Sequence, residues 1–447
     1  MVNWRVDEMR RQQEADRQAR MRPGQNVVRL RLGIWRFVLL TNLVVHIIKE
    51  SPMFRKLLPL VSLLGFAAVT PAFAAGDSVA GAVYAMSNAS AGNQVLVYDR
   101  SADGFLSLAN TYPTGGLGSG GQPPLDPADA LGSQGSLVLS GDGRWLFAAN
   151  AGSNEISVFR ANRSQLVLTD KVSSGGLFPS SVAQHKNLVY VLNAGGDGNI
   201  TGFTFDRNGR LRPMPGSTRA LGAGGTNPPF FLFSPAQVGF TPRGDKLVVV
   251  IKGMFTPQPT HRILVYDIDD NGLPGADPVT TLSPTTLSFG FVFDGRDRLI
   301  VAEPFGSSGA PGPGRGAMSS YEINGDGTLT STTVSEPNFQ TATCWAAITG
   351  NGHFVYATNN GSGTISGYRI AQDGTLQPLD AHGITASTDV APVDLAITRN
   401  GRFLYNVNAG SGTISMFRIN EPDGSLTSLG SVPGLPIDDG AAGIAAR

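Results

Sequence analysis

A unit of four short strands recurs along the chain, and one such sheet is too small to bury its own faces. The clearest copy is residues 395–429, LAITRNGRFLYNVNAGSGTISMFRINEPDGSLTSL. It reads as an apolar run, a tight Asn400-Gly401 turn, a second run ending at Asn408, a Gly/Ser loop, a third run, a Gly-containing turn and a fourth run. Strand-length runs separated by Asn-Gly or Asp-Gly are strong hairpin signals. Related stretches are SLVLSGDGRWLFAANAGSNEISVF (136–159), VAQHKNLVYVLNAGGDGNITGFTF (182–205), VGFTPRGDKLVVVIKG (238–253), FVFDGRDRLIVAEP (291–304) and AAITGNGHFVYATNNGSGTISGY (346–368).

Aligning the residue three before the end of each second strand gives Tyr84, Phe147, Tyr190, Val249, Ile300, Tyr356 and Tyr405. The spacing suits the ~40–50 residues of a four-stranded propeller blade. The chain is therefore expected to be all-β, a seven-bladed β-propeller over residues 77–447. The first repeat (81–100) lacks its leading strand, and Gly440–Ala446 (GAAGIAA) reads as that strand. The C-terminus would then close the ring and remove the open sheet edge. Deleting the last eight residues should cost more stability than their number suggests.

Strand alternation sorts the loops onto two faces. First-to-second and third-to-fourth turns are short everywhere, as at Asp142-Gly143 and Asp373-Gly374. The opposite face receives the long insertions, including Asn110–Gly135, Pro215–Pro235, Gly253–His261 and Pro304–Ala317. Long loops on a rigid scaffold commonly carry binding, so a site is expected at the channel mouth on that face.

The N-terminal segment is of another kind. Residues 1–52 are expected to be a mis-assigned or disordered extension. From Met53 a secretory signal over 53–74 is read: Arg55-Lys56, an apolar run from Leu57 to Val69, and Ala72-Phe73-Ala74. The apolar run at 34–48 is shorter than the ~20 residues of a membrane span. Export to the periplasm or medium is the expectation, with no lasting membrane insertion. Residues 1–74 hold 12 of the 34 basic and 5 of the 34 acidic residues, leaving 22 and 29 in the remainder. An acidic domain without a basic stripe argues against nucleic acid as a partner. A monomer acting on a small molecule without cofactor or metal is expected. The single Cys344 permits no internal disulfide.

Residues that break the repeat are the candidates. Second strands end in Asn150, Asn193, Asn359 and Asn408, each suited to capping its own turn. At the matching position stand Lys252 and Glu303. An opposite-charge pair on adjacent blades at a channel mouth is either an acid–base pair or an inter-blade salt bridge. His261 and His382, on the long-loop face, are general-base candidates or plain loop histidines. Arg315 is placed to bind a carboxylate or phosphate, or is a solvated loop charge. Gln134, Gln237, Trp345 and Asp394, at the starts of first strands, line the channel or satisfy strand ends. Cys344 reads as a buried structural residue rather than a nucleophile. Glu303, Asp394 and Asp438 would be the only carboxylates for a metal. Asp269-Asp270-Asn271-Gly272 reads as a turn, since a calcium loop needs a distal Glu.

The stretches GDGRWLFAANAGSNEISVF, NGHFVYATNNGSGTISGYRIAQDGTL and NGRFLYNVNAGSGTISMFRI resemble the lactonase-type seven-bladed β-propellers. That family includes the propeller-type 6-phosphogluconolactonases and the 3-carboxymuconate cyclases. The resemblance runs over about 80–446 and implies lactone hydrolysis, or the reverse ring closure, at a channel-mouth site using His, Arg and acidic side chains. With it, Glu303 or His261 would activate water, while Lys252 and Arg315 would stabilise an oxyanion or anchor a carboxylate. The second-strand endings also resemble the Tyr-Val-Thr-Asn repeats of non-catalytic surface propellers, which implies the alternative of a periplasmic or surface binding protein.

Overall fold

The computed structural model describes residues 79–447 apart from 122–124, 127, 254–260, 284–286, 307–311 and 438. The expected extension (1–52), the signal peptide (53–74) and Asp438 lie outside the described residues.

Seven antiparallel sheets follow one another along the chain. Blade two is Leu137–Leu139, Trp145–Asn150, Glu155–Asn162 and Gln165–Ser173; blades three to seven repeat that order from Pro179, Pro235, Phe291, Thr343 and Pro392. Blade one joins the two ends of the domain: Ile444–Ala446 lies innermost, beside Gly81–Met86, then Gln94–Arg100 and Leu106–Pro113. The register pairs Val83 with Ala446, Tyr84 with Ala445 and Ala85 with Ile444. Blades three and six each gain a two-residue strand, Arg219–Ala220 and Ala386–Ser387, on their third strands.

The burial pattern follows from this layering. Second strands are apolar on both faces because neighbouring blades cover both, and Leu247–Ile251 and Phe354–Asn359 are buried at every residue. Fourth strands alternate, as in Gln165–Ser173, because one face meets solvent. First strands of successive blades lie side by side around the axis.

A repeated tyrosine link joins blade to blade. Tyr190 Oη donates to the Gly272 carbonyl (2.7 Å), Tyr356 Oη to Gly424 (2.7 Å) and Tyr405 Oη to Gly104 (2.9 Å). In each case the acceptor lies in the third-to-fourth turn of the following blade. The pair Tyr405–Gly104 carries this link across the closure from blade seven to blade one. Asp269 caps its own turn, accepting from Asn271 N (2.9 Å) and Leu273 N (2.7 Å), as the turn reading expected.

Candidate functional site

The end of the second strand occupies the same place in every blade. In blade six Asn359 Nδ2 donates to Ser366 Oγ (2.8 Å) on the third strand, and its Oδ1 accepts from Thr343 Oγ1 (2.6 Å). Asn150 and Asn408 reach Ser157 Oγ (2.8 Å) and Ser415 Oγ (2.9 Å) in the same way. These asparagines tie strand two to strand three. Glu303 takes that place in blade five, where Ser319 Oγ donates to its Oε1 (2.7 Å). Its side chain is fully buried.

Lys252 does something else. It is fully buried, and its Nζ donates to the Gly132 carbonyl and lies 4.6 Å from the centre of the Phe289 ring. Gly132 has φ +56°, and a Cβ there would approach within 3.0 Å of that Nζ. Asp129 is the carboxylate whose charge acts most on Lys252. Burial lowers the lysine's pKa, against the pull of Asp129. Burial likewise raises the Asp129 carboxyl, opposed by Lys252 and by the Gly132 amide, which donates to Oδ1 (3.0 Å). Asp129 lies deep among protein atoms yet keeps some contact with solvent. Reduced charge on both partners is the ordinary effect of a poorly solvated site.

Segment 132–135 runs on from Gly132, which both groups contact, to the inner strand of blade six. The Gln134 amide mimics a strand: Nε2 donates to the Ala346 carbonyl (2.7 Å) and Oε1 accepts from Ala346 N (2.8 Å). Trp345 Nε1 donates to the Ser133 carbonyl (2.9 Å). A loop entering blade two is thereby pinned to the inner strand of blade six, at the mouth ringed by the long loops. Gln237 does the same locally, exchanging hydrogen bonds with Phe291 N (2.7 Å) and O (3.0 Å) between blades four and five. Asp394 is buried, and burial raises its carboxyl to about 7 despite hydrogen bonds from the Leu395 and Gly135 amides. Cys344 is buried, and its thiol is pushed well up, chiefly by burial, which keeps it protonated.

Among the named residues, Gln134, Trp345, Lys252 and Asp394 converge through segment 132–135. His261 is half-buried, and among the described residues its Nδ1 has no hydrogen-bond partner. His382 is exposed in the Asp380–Gly383 turn, where its carbonyl accepts from Gln340 Nε2 (2.8 Å). Arg315 is exposed and borders a cleft of about 410 Å³ with Phe305, Pro337 and Phe339. Asp129 was missed. Its only marker is its place in the insertion 110–135, and nothing local distinguishes it from Asp126. Among the described residues no three His, Cys, Asp or Glu side chains gather to hold a metal ion.

The family description "Lactonase, 7-bladed beta-propeller" matches residues 92–224 and 316–436, more than half of the chain. The protein belongs to this lactonase family. Its fold is shared with solved structures of low identity. One is a periplasmic gluconolactonase of Pseudomonas aeruginosa, 15% identical, TM-score 0.59, covering 82% of this chain and 98% of that one. A Bacteroides fragilis protein assigned as a 6-phosphogluconolactonase gives 15%, 0.59, 82% and 97%. A Lactobacillus plantarum protein gives 17%, 0.60, 82% and 98%. No curated protein matches by sequence. In this chain the asparagine ties and tyrosine links described above account for much of the repeat pattern, so the match speaks to scaffold more than to chemistry.

Proposed function

We propose that this family member opens small lactones at the axial mouth on the long-loop face. One observation carries the reading: Lys252 and Asp129 meet at Gly132, the ammonium at its carbonyl and the carboxylate at its amide, and burial makes each charge costly. Lys252 already donates to a carbonyl oxygen, that of Gly132. A substrate carbonyl taking that place would have its developing oxyanion stabilised by the ammonium. Asp129, as carboxylate, accepts a proton from water while the water oxygen bonds to the lactone carbonyl carbon. The ring C–O bond then breaks, the leaving oxygen takes up the proton, and a hydroxy acid is released. The apolar run 57–69 and the periplasmic location named for the Pseudomonas relative support action outside the cytoplasm.

The test is acid release from a panel of five- and six-membered lactones, phosphorylated and not. Lys252→Met and Asp129→Asn should each lower kcat by about 10²-fold or more. Wild-type turnover in both variants refutes the assignment. A binding propeller is the second reading, and one observation favours it: segment 132–135 already fills the axial mouth with hydrogen-bonded backbone. Wild-type protein that opens no lactone, yet retains a ligand through the long-loop face, would establish that reading instead.

A further inference from the structure

Two clefts lie on the opposite, short-loop face. One, of about 560 Å³, runs between blades two and three past Trp145, Phe205, Arg160, Lys186 and Arg207. The other, of about 610 Å³, lies near the axis and is bordered by Arg399, Asn400 and Arg447. They share the Ser140–Asp142 turn as a common wall, so they form one trough.

Its charge runs against that of the domain. Residues 75–447 carry 22 basic and 29 acidic residues, whereas cations outnumber acids along the trough. Arg160, Lys186, Arg207 and Arg399 are exposed, and none belongs to an ion pair among the described residues. Trp145 is partly exposed, meets Phe205 edge to face at 5.3 Å, and stands opposite Arg160 in the ladder. Asp142 and Asp206 interrupt the positive charge.

We propose that this trough is a second binding site, independent of the axial pair, for an acidic oligosaccharide. The chemistry fits on three counts. Unpaired Arg and Lys side chains suit carboxylate or phosphate substituents. An indole wall suits the C–H face of a pyranose through apolar contact. The interspersed carboxylates accept hydrogen bonds from sugar hydroxyls, and they would repel the unbroken phosphate row of a nucleic acid. The concave form also suits a short bound segment better than a long duplex.

The test titrates the purified protein with oligogalacturonate, a neutral galactose oligomer of equal length and a short DNA duplex, at fixed ionic strength. Oligogalacturonate should bind, with the neutral oligomer roughly tenfold weaker, and affinity should fall as salt rises. Arg399→Gln and the double variant Lys186→Gln/Arg207→Gln should each weaken oligogalacturonate binding about three- to tenfold. Trp145→Ala should weaken both sugars by about tenfold, with Trp145→Phe as the control should the alanine variant unfold. Lactone turnover should be unchanged in Arg399→Gln, which separates this site from the axial one. Equal affinity for neutral and acidic sugars, indifference to these substitutions, tighter binding of DNA, or no binding of oligogalacturonate overturns the proposal.

Discussion

Asn359 in blade six and Lys252 in blade four hold equivalent positions at the end of a buried second strand, yet they act differently. Asn359 is saturated by local partners, with Ser366 Oγ on one side and Thr343 Oγ1 on the other. Lys252 reaches out of its own blade to a loop from blade two. The asparagine makes the sheet rigid. The lysine carries a charge where water cannot solvate it, a cost that a scaffold alone does not require. Glu303 falls between them, since it keeps the serine contact of the asparagines while bringing a carboxyl group. Blade four is thus where the repeat gives up a local tie for a long-range contact.

Substituting the two positions in parallel is the severest test of this contrast. Lys252→Met should reduce lactone turnover by about 10²-fold or more, and combined with Asp129→Asn, which removes the carboxylate left without its counter-charge, should leave the melting temperature unchanged or raised. Asn359→Ala should do the reverse. Two hydroxyls and the strand end lose their partner, so chemical denaturation should show a loss of about 2–3 kcal/mol with turnover per folded molecule intact. Were the double variant Lys252→Met/Asp129→Asn to destabilise as much as Asn359→Ala, both positions would be ties and the contrast would collapse.

A pH series sharpens it further. Asp129 must be ionised to accept a proton, and burial raises its pKa, so kcat/KM should fall on acidification at a pH well above the ordinary carboxylate value of about 4. Asp394 provides the stability counterpart. Its folded pKa of about 7 exceeds the unfolded value, so the folded state holds its proton more tightly. That contribution is full below about pH 4 and is lost as pH rises through about 7. Asp394→Asn should remove this slope from a plot of melting temperature against pH between those limits.

The smallest effect belongs to the tyrosine links. Tyr405→Phe leaves the ring packed but removes the hydrogen bond to the Gly104 carbonyl, and should cost about 1 kcal/mol in denaturant unfolding. The same change at Tyr190 should match it, since the blades repeat the geometry.

Much of this was legible beforehand. The Asn-Gly and Asp-Gly turns, the apolar second strands and the incomplete first repeat led to seven sheets and to the closing strand, because hairpin turns and burial are written locally. The positions of Lys252 and Glu303 were also visible, as departures from Asn in a repeated column. Their partners were not. Lys252 bonds to Gly132, which also holds Asp129, more than a hundred residues away, and Gln134 crosses to Ala346, because circular stacking brings together loops that share no local pattern.

The amino-acid order by itself determined the repeat, the number of blades and the sorting of short and long loops, since each depends on interactions between near neighbours in the chain. Only the tertiary structure decided that Lys252 and Asp129 share Gly132, that Gln134 and Gln237 serve as backbone substitutes, and that the clefts beside the Ser140–Asp142 turn open on the short-loop face. Those outcomes depend on desolvation and on the distances between blades, and neither quantity exists until the ring has closed.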